Sequence, residues 1–304
     1  PRSSRNQSCM QLRDSKYRRI ATGTLITNNP SDLPGQTAFL DPAIVGNKKE
    51  FGYRYGESFN ESTGKVLKLK KDAAELIRRD LKNNTYYLMY REKDWAATLP
   101  EIKLDYYLVE MNDNQKKVYK GLVEETVAEI LADPELKVAW EQFQELGSED
   151  NDFVSAALLG KFAKLEQYLT APNRSEFVDK ALTEDDKRSC KIDKIDERIA
   201  ESLKNNSKCI IAVHYKLSAK HLLEHSKYKS QAVYYDAGKK DNMLKFMNDK
   251  NTKVMFAVVQ SLSEGYNLQM ADRIIIADND WTPGKLKQLM ARLFRPSVKK
   301  DPKT

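Results

Sequence analysis

Cysteine, glycine and proline are scarce in this sequence, and long hydrophobic runs are missing. Its 304 residues include three cysteines, Cys9, Cys190 and Cys209, without a C-x-x-C pair, so neither a disulfide scaffold nor a zinc site is indicated. Twelve glycines and ten prolines are too few for a low-complexity chain. No apolar run approaches the roughly 18 residues of a membrane-spanning helix, and the first residues are polar and basic. We therefore expect neither a membrane partner nor a cleaved signal peptide.

Positive charge is in modest excess. Lysine and arginine together number 51 against 44 aspartates and glutamates, which gives a net charge of +7, and hydrophobic residues make up 40% of the chain. This hydrophobic share is enough to fill the core of one large or two ordinary domains. A basic balance favours a polyanionic partner over an acidic one. We therefore expect a soluble, intracellular protein.

The last third of the chain alternates short apolar runs with helical patterns. Apolar runs at 209–213, 254–259 and 274–277 predict buried strands. Helical patterns accompany them at 218–225, 240–248 and 284–293, after an amphipathic helix with Ile192, Ile195, Ile199 and Leu203 on one face. This alternation is typical of a parallel sheet covered on both faces, so we predict an α/β domain from about 185 to 304. Its functional loops are expected at the carboxyl ends of the strands.

The first two thirds of the chain are predicted to be mainly helical. Helices are expected at 33–40 and 73–82, and from 113 to about 182 with Asp113 as a cap and a break at 147–152. The polar and aromatic stretch 46–72 suggests an excursion on the surface. Partial alternation of apolar residues over 102–111 predicts a strand.

Two arginines near the carboxyl end are spaced for a phosphate. Arg292 and Arg295 are three apart, so on a helix they share a face. Each guanidinium presents a planar fork of donors that suits a charged phosphate oxygen. Taken alone, such a pair is more typical of a solvated helix face than of a phosphate site.

The order of the surrounding motifs adds to this spacing. Gly265-Tyr-Asn267-Leu268 precedes a predicted strand, Asp278-Asn-Asp280-Trp281-Thr-Pro283 follows it, and Gln288-Leu-Met-Ala-Arg292-Leu-Phe-Arg295 comes next. This set resembles the second motor lobe of superfamily-two helicases and, within them, the Swi/Snf-type ATP-dependent DNA translocases. Thr22-Gly23-Thr24, Leu99-Pro100 and Met111 to Tyr119 resemble motifs from the end of the first lobe, so the resemblance covers nearly the whole chain.

The resemblance implies an α/β fold of RecA-like lobes, each a parallel sheet flanked by helices, with a largely helical insertion between them. It assigns residues 1–45 and about 100–112 to the remainder of lobe one, and residues 185–304 to lobe two. Residues 46–99 become a basic insertion or protrusion, and residues 113–184 become the helical insertion.

The resemblance also implies roles for individual residues. Arg292 and Arg295 match arginine fingers that reach the γ-phosphate of ATP, and Gln288 opens the same motif. Thr22, Gly23 and Thr24 match a coupling motif, and Gly265 belongs to a loop that links nucleotide and nucleic-acid contacts. Residues at strand ends match contacts to the DNA backbone: His214, Tyr215, Lys216, Ser261 and Asn267. Trp281 is either a DNA-facing aromatic or a buried packing residue.

Two further groups leave alternatives open. Lys68, Lys70 and Lys71, with the neighbouring basic residues, form either a DNA-gripping protrusion or a solvated face. His221 and His225 are four apart, as in some metal sites, but no cysteine or carboxylate set completes such a site. We therefore predict no metal ligands in this chain.

The chain also departs from the family. It contains no G-x-x-x-x-G-K-[ST] and no D-E-x-H, which normally precede the T-G-T motif. We therefore expect that Pro1 is not the natural start, that these residues alone do not hydrolyse ATP, and that Mg²⁺ ligands lie in the missing part of lobe one. Leu25 in place of a proline, and Pro296-Ser297 in place of I-G-Q, suggest a divergent, compact member from a phage or virus.

The expected activity is ATP-dependent translocation on duplex, forked or branched DNA, in branch migration or replication-fork remodelling. ATP and Mg²⁺ are the expected cofactors, sequence-independent DNA the partner, and a monomer the expected state. The cytoplasm or nucleoid of a bacterial host, or the nucleus of a eukaryote, is the expected location. Two alternatives remain: a non-catalytic nucleic-acid-binding module that has kept the lobe-two fold, and an RNA-directed superfamily-two helicase.

Overall fold

The computed structural model describes residues 4–22, 25–26, 29–85, 103–146, 156–172, 183–262, 266–278 and 283–293. The chain divides into two compact units, residues 1–99 with 282–284 and residues 100–281 with 285–304. The lobe boundaries implied by the resemblance remain predictions. No helix among the described residues combines the length and apolar character needed to cross a bilayer.

The first unit combines helices with a β-hairpin. Its elements are α1 (Ser4–Met10), a 3-10 turn (Pro30–Asp32), α2 (Leu33–Leu40), α3 (Lys48–Tyr55), the antiparallel strands β1 (Gly56–Phe59) and β2 (Val66–Leu69), and α4 (Ala73–Asn84). Helix α2 has the predicted bounds, and α4 begins at the predicted residue and extends two residues further. Gly64 lies in the hairpin loop at a φ of +72°, a conformation that glycine adopts without strain.

The stretch 46–72 is not a surface excursion, so this prediction was wrong. Phe51 and Tyr55 are completely buried, in a core shared with Leu33, Val66 and Ile77. Polar and charged residues dominate the sequence here because α3 and the hairpin each present one narrow apolar face, and the other faces contact water.

Tyr55 also anchors a buried polar contact. Its hydroxyl donates to Asp80 Oδ2 of α4 at 2.5 Å, and Arg54 lies 2.7 Å from the same carboxylate oxygen. Burial and the bond to Asp80 raise the pKa of Tyr55, so the phenol stays protonated and remains a donor. The contact ties the carboxyl end of α3 to the middle of α4.

The second unit begins with helices. They are α5 (Asp113–Ala132), α6 (Pro134–Leu146), α7 (Ala156–Thr170), α8 (Glu184–Lys187) and α9 (Ile192–Lys204). Asn112, not Asp113, caps α5. Its side chain accepts from the Gln115 backbone at 2.7 Å, and the Gln115 side chain accepts from the Asn112 backbone at 3.2 Å. This reciprocal capping box requires the glutamine three residues after the cap, which fixes Asn112 as the capping position.

The predicted strand over 102–111 is absent from the part that the structure describes, residues 103–111. Leu104, Tyr106 and Leu108 are exposed, and the segment pairs with no described strand. Tyr107 holds it to α9, because its hydroxyl accepts from Arg198 at 2.9 Å and its ring lies against Lys194 and Arg198. Alternation marks a backbone suited to a sheet, but a strand forms only where a neighbour pairs its backbone groups.

The second unit ends in a four-stranded parallel sheet with the order β4-β5-β3-β6. Its strands are β3 (Lys208–Val213), β4 (Ala232–Tyr235), β5 (Val254–Val258) and β6 (Ala271–Ile276). The accompanying helices are α10 (Lys216–His225), α11 (Lys240–Asn248), α12 (Val259–Leu262) and α13 (Pro283–Leu293). Helices α9 and α10 cover one face of the sheet, and α11 and α13 cover the other. The predicted α/β fold is therefore confirmed, with β4 as an additional strand.

Tyr55→Phe is expected to lower the free energy of unfolding by about 1 kcal/mol, because the ring still fills the core while Asp80 is deprived of a hydrogen bond. Urea unfolding followed by circular dichroism measures the change. Tyr53→Phe is the matched control, because Tyr53 lies on the same helix and is 62% exposed. The control is expected to change stability by less than about 0.5 kcal/mol. An equal drop in stability in the two variants would contradict the role of the Tyr55 hydroxyl.

Candidate sites at the carboxyl ends of the strands

The carboxyl ends of the four parallel strands bring the predicted loops of the second unit to one edge of the sheet. His214 follows β3, Asp236 follows β4, α12 with Ser261 follows β5, and Asp278 comes shortly after β6. Parallel strands place their carboxyl ends together, and this edge of an open α/β sheet is the usual place for ligands. We therefore expect the ligand-binding residues of the second unit to lie at this edge.

The segment after β3 presents a helix start without a side-chain cap. Tyr215 is the N-cap of α10, with an extended backbone, and its own side chain makes no capping hydrogen bond. Its hydroxyl donates instead to Glu166 Oε2 of α7 at 3.1 Å, and the His214 ring contacts the Tyr215 ring edge-on. Lys216 is exposed, 3.7 Å from Asp236 Oδ2. The first turn of a helix together with a lysine is an arrangement suited to an anion.

Ser261 helps to hold the loops after β4 and β5 together. Its hydroxyl oxygen accepts a hydrogen bond from the Ala237 backbone at 3.1 Å. In the same loop Asp236 accepts from the Tyr234 hydroxyl at 2.7 Å and from the Gly238 backbone at 3.0 Å. The Tyr234 hydrogen bond is the main reason that the pKa of Asp236 lies below its usual range. Ser261 therefore has a structural role at the sheet edge that does not depend on a ligand.

The predicted Asn267 loop is bonded directly to the predicted arginine helix. The Leu268 backbone donates to the carbonyl oxygen of Arg292 at 3.2 Å, and the Leu268 side chain is buried in the same core cluster as Leu289 and Leu293 of α13. Asn267 is exposed beside this contact. Gln288 and Arg292 are partly exposed and four residues apart, so they share a face of α13. Asn267 thus adjoins the residue that bonds to the helix carrying Gln288 and Arg292.

Several predicted site residues lie outside the described residues: Gly23, Thr24, Gly265, Trp281 and Arg295. Thr22 is described as exposed and outside regular structure. Their roles remain predictions that follow from the resemblance.

The predicted lysines of the first unit differ in their contacts. Lys68 lies 3.0 Å from Glu57 across the hairpin, and both side chains are exposed. Lys70 donates to the carbonyl oxygens of Tyr53 and Arg54 at 3.0 and 2.9 Å, which satisfies the carboxyl end of α3. Lys71 is exposed. Lys70 therefore has a structural contact of its own, whereas Lys68 and Lys71 present charge at the surface.

The Met111-to-Tyr119 motif has a structural role through Gln115. The side chain of Gln115 donates to the carbonyl oxygens of Asp186 and Arg188 at 3.1 and 2.7 Å. Asn112 and Asn114 donate to the Asp186 carboxylate at 3.1 and 3.3 Å. Hydrogen bonds from Thr183 above all, and from these asparagines, lower the pKa of Asp186. The motif fastens the start of α5 to the chain that enters α9.

A buried network beside β6 was missed by sequence reasoning. Lys191, at the start of α9, contacts Asp278 and Thr170, and these two also contact each other. Asp278 was visible as the first residue of the D-x-D-W motif, but no pattern singled out Lys191 or Thr170. They lie 87 and 108 residues from Asp278 along the chain, so only the fold brings them together.

The histidine pair is not part of a metal site in the described region. No group of three or more histidine, cysteine, aspartate or glutamate side chains that could hold a metal occurs among the described residues. The rings of His221 and His225 are 4.2 Å apart, and neither ring nitrogen of the buried His221 has a hydrogen-bond partner in the described chain. Burial, with a smaller contribution from His225, lowers the pKa of His221 to about 4.

Two family models match the chain. The model of the SNF2-related domain matches residues 1–174, and that of the helicase conserved C-terminal domain matches residues 190–297. Human TATA-binding protein-associated factor 172 (Homo sapiens) is 23% identical over 334 residues, which cover 94% of this chain and 18% of that protein. The SNF2 domain-containing protein CLASSY 1 of Arabidopsis thaliana is 41% identical over 49 residues, 16% of this chain and 4% of that protein. The chain thus spans less than a fifth of each relative.

Two solved structures are similar to this chain at low sequence identity. The Sulfolobus solfataricus SWI2/SNF2 ATPase core domain is 21% identical, with 97% of this chain and 57% of that chain covered and a TM-score of 0.44. The C-terminal part of the Fun30 ATPase domain is 14% identical, with 67% and 83% covered and a TM-score of 0.45.

Stability is expected to fall in acid in a way that depends on His221. An unfolded histidine has a pKa near 6.5, so below that pH the unfolded chain takes up a proton that the buried ring refuses until about pH 4. The stability that depends on a neutral His221 ring is fully present above pH 6.5 and is lost as the pH falls toward 4. Between about pH 7 and pH 4 the wild type should lose about 3 kcal/mol more than His221→Gln. Urea midpoints at several pH values measure the difference; parallel pH profiles would contradict it.

Proposed function

Because the chain belongs to the SNF2-related family, we propose that it is the arginine-finger and nucleic-acid-gripping part of an ATP-dependent DNA translocase. The observation that carries the proposal is the hydrogen bond from Leu268 to the Arg292 carbonyl oxygen. It joins the G-Y-N-L loop to the helix that bears the predicted finger. A motor needs such a contact, because the residues that sense the nucleic acid must be mechanically connected to those that act on the nucleotide.

The sheet edge supplies the grip on the nucleic acid. Lys216, the first-turn N–H groups of α10, the Ser261 hydroxyl and the exposed Asn267 amide are all suited to phosphate oxygens. None of these groups distinguishes one base from another. Binding through them is therefore expected to be independent of sequence and to weaken steeply with salt.

In this chain, the residues proposed to contact the phosphates of ATP are arginines. No group of side chains that could hold a metal ion occurs among the described residues, and the sequence has no glycine-rich phosphate loop. Bound elsewhere in the protein, ATP supplies the phosphoanhydride whose cleavage drives the cycle. Arg292 and Arg295 would hold the γ-phosphate and stabilise the negative charge that develops there. Gln288, on the same face of α13 as Arg292, would orient that contact.

Duplex, forked and branched DNA are the proposed substrates, and the proposed motor works as a monomer. Translocation along one strand of a duplex displaces whatever is paired ahead of it, which produces branch migration at a junction and remodelling at a fork. Filter binding, strand-displacement and ATP hydrolysis assays should compare linear duplex, fork, four-way junction and RNA duplex. An ATP hydrolysis rate that is stimulated most by RNA would overturn the choice of DNA.

Arg292→Ala in the full-length protein should reduce DNA-stimulated ATP hydrolysis by about 10³-fold or more, because a finger acts on the transition state. The affinity for DNA should stay within about twofold, because the loop contact uses the main chain of Arg292 and not its side chain. Steady-state kinetics and fluorescence anisotropy measure the two quantities.

Lys287→Ala is the matched control for Arg292→Ala, because it removes one positive charge from the same helix. It should retain ATP hydrolysis at nearly the wild-type rate. Normal turnover in Arg292→Ala and Arg295→Ala would contradict the finger assignment. A wild-type protein that binds DNA tightly but never hydrolyses ATP would favour the non-catalytic binding module.

Replacing Lys68 and Lys71 together with serine should weaken binding to every DNA sequence by the same factor. The slope of log K against log salt should become shallower by about one for each phosphate that the variant no longer neutralises. Lys204→Ser with Lys250→Ser is the matched control, because both lysines are exposed near the amino ends of β3 and β5. Unchanged affinity in the Lys68 and Lys71 variant would assign these lysines to a solvated face.

A further inference from the structure

The ammonium of Lys191 is fully engaged inside the second unit. Its Nζ atom donates to Thr170 Oγ1 at 2.8 Å, to the Ala277 carbonyl oxygen at 2.6 Å and to Asp278 Oδ1 at 3.0 Å. A lysine ammonium has three hydrogens, so these acceptors account for all of its donors. Its partners come from the end of α7 and from the chain just after β6, two parts of the unit that are far apart in sequence.

Asp278 and Thr170 complete the network. Asp278 is 5% exposed and Thr170 is completely buried. The Thr170 hydroxyl donates to Asp278 Oδ1 while it accepts from Lys191, so it can serve the network only as a hydroxyl. The second carboxylate oxygen, Asp278 Oδ2, is buried without a hydrogen-bond partner among the described residues. A buried ion pair with an unsatisfied oxygen is a costly way to stabilise a fold.

The position of Lys191 is also electrostatically unfavourable. It occupies the N-cap of α9, where no side chain caps the helix and where the helix dipole repels a cation. An asparagine, serine or aspartate is the usual residue at this position. Asp278 and Thr170 accept hydrogen bonds from the lysine and so offset both disadvantages. Helix capping alone gives no reason for a lysine at this position.

The network acts on the exit of β6 from the sheet. The Ala277 backbone donates to the Ala212 carbonyl oxygen of β3 at 2.9 Å, and its own carbonyl oxygen accepts from Lys191. Asp278 is the next residue, and the D-N-D-W sequence leads from it into α13 with Gln288 and Arg292. The direction in which the chain leaves β6 is therefore fixed by the contacts of residues 277 and 278.

We infer that Lys191, Thr170 and Asp278 form a positioning latch at the point where the chain leaves β6, ahead of the finger helix in the sequence. The latch connects α7, at the end of the helical region, to the functional edge of the sheet. It holds Ala277 and Asp278 in the position from which binding of the nucleic acid promotes ATP turnover. The inference rests on the proposed function for its effect on turnover, but its effect on the chain after β6 is measurable without any turnover.

Thr170→Val and Thr170→Ser separate a hydrogen-bonding role from packing. Valine keeps the shape of threonine and removes the hydroxyl, whereas serine keeps the hydroxyl and removes the methyl group. The latch predicts that Thr170→Val lowers kcat of DNA-stimulated ATP hydrolysis by about tenfold or more, with KM for ATP within about twofold, and that Thr170→Ser stays near wild type. Packing alone predicts the reverse order of the two variants.

Lys191→Met tests the ammonium, and Lys191→Met with Asp278→Asn removes both charges, so that no buried charge is left unpaired. Both should lower kcat as Thr170→Val does. Lys194→Met is the matched control, because it removes a lysine three residues further along α9 whose partner, Glu197, lies in an exposed ion pair at 2.6 Å. The control should keep the wild-type kcat. The double variant keeps the test informative if Lys191→Met does not fold.

The chain after β6 is followed by ¹⁹F NMR of the full-length protein labelled with 5-fluorotryptophan, because Trp281 comes three residues after Asp278 in the sequence and Trp281→Phe identifies its resonance. Thr170→Val and the double variant should shift or broaden this resonance, and Thr170→Ser and Lys194→Met should not. An unchanged resonance together with wild-type kcat in Thr170→Val would overturn the latch, as would a greater drop in kcat in Thr170→Ser. A wild type without DNA-stimulated hydrolysis, but with the expected resonance changes, overturns the proposed function and supports the latch.

Discussion

Strand β3 is surrounded on every side, and this burial determines the arrangement of the second unit. It pairs with β5 on one edge and β6 on the other, and Cys209 to Val213 have no exposed surface. Apolar side chains on both faces of a strand require a layer of helices on each side, and parallel pairing requires a crossover between consecutive strands. These two requirements bring the segments after β3, β4, β5 and β6 to one edge. The position of the candidate site therefore follows from the parallel pairing of the strands, and its chemistry follows from the residues in those segments.

The sequence patterns predicted those elements whose signal is local. Apolar runs identified β3, β5 and β6, and the spacing of Ile192, Ile195 and Ile199 identified α9. Strand β4 was missed because Ala232–Tyr235 is short and half tyrosine, so its burial depends on β5 and α11 and not on its own apolar run. The strand predicted over 102–111 was wrong for the opposite reason. Its residues alternate as in a strand, but the described part, 103–111, pairs with no strand among the described residues. In both cases the deciding information lies elsewhere in the chain.

The candidate site residues also divide into those with a local sequence signal and those brought together only by the fold. Asn267, Gln288 and Arg292 belong to ordered motifs, and the Leu268 contact joins the loop of Asn267 to the helix of Gln288 and Arg292. Lys191 and Thr170 belong to no motif, since a hydrogen bond across 87 or 108 residues leaves no spacing to recognise. Basic residues are ambiguous for another reason: Lys70 and Lys71 are adjacent in sequence and both exposed, yet only Lys70 has a described contact to the carbonyl oxygens at the end of α3. Charge alone does not distinguish a helix cap from a phosphate contact.

The exposed segment of Leu104, Tyr106 and Leu108 affects how the molecule responds to heat. Tyr107 attaches this segment to α9, while its neighbours present large apolar side chains to water in the folded state. An exposed apolar segment that pairs with no described strand is a template for association with a second chain. Warming is therefore expected to produce aggregates from native molecules before the sheet unfolds, so that thermal inactivation is a rate process whose half-life shortens as the concentration rises.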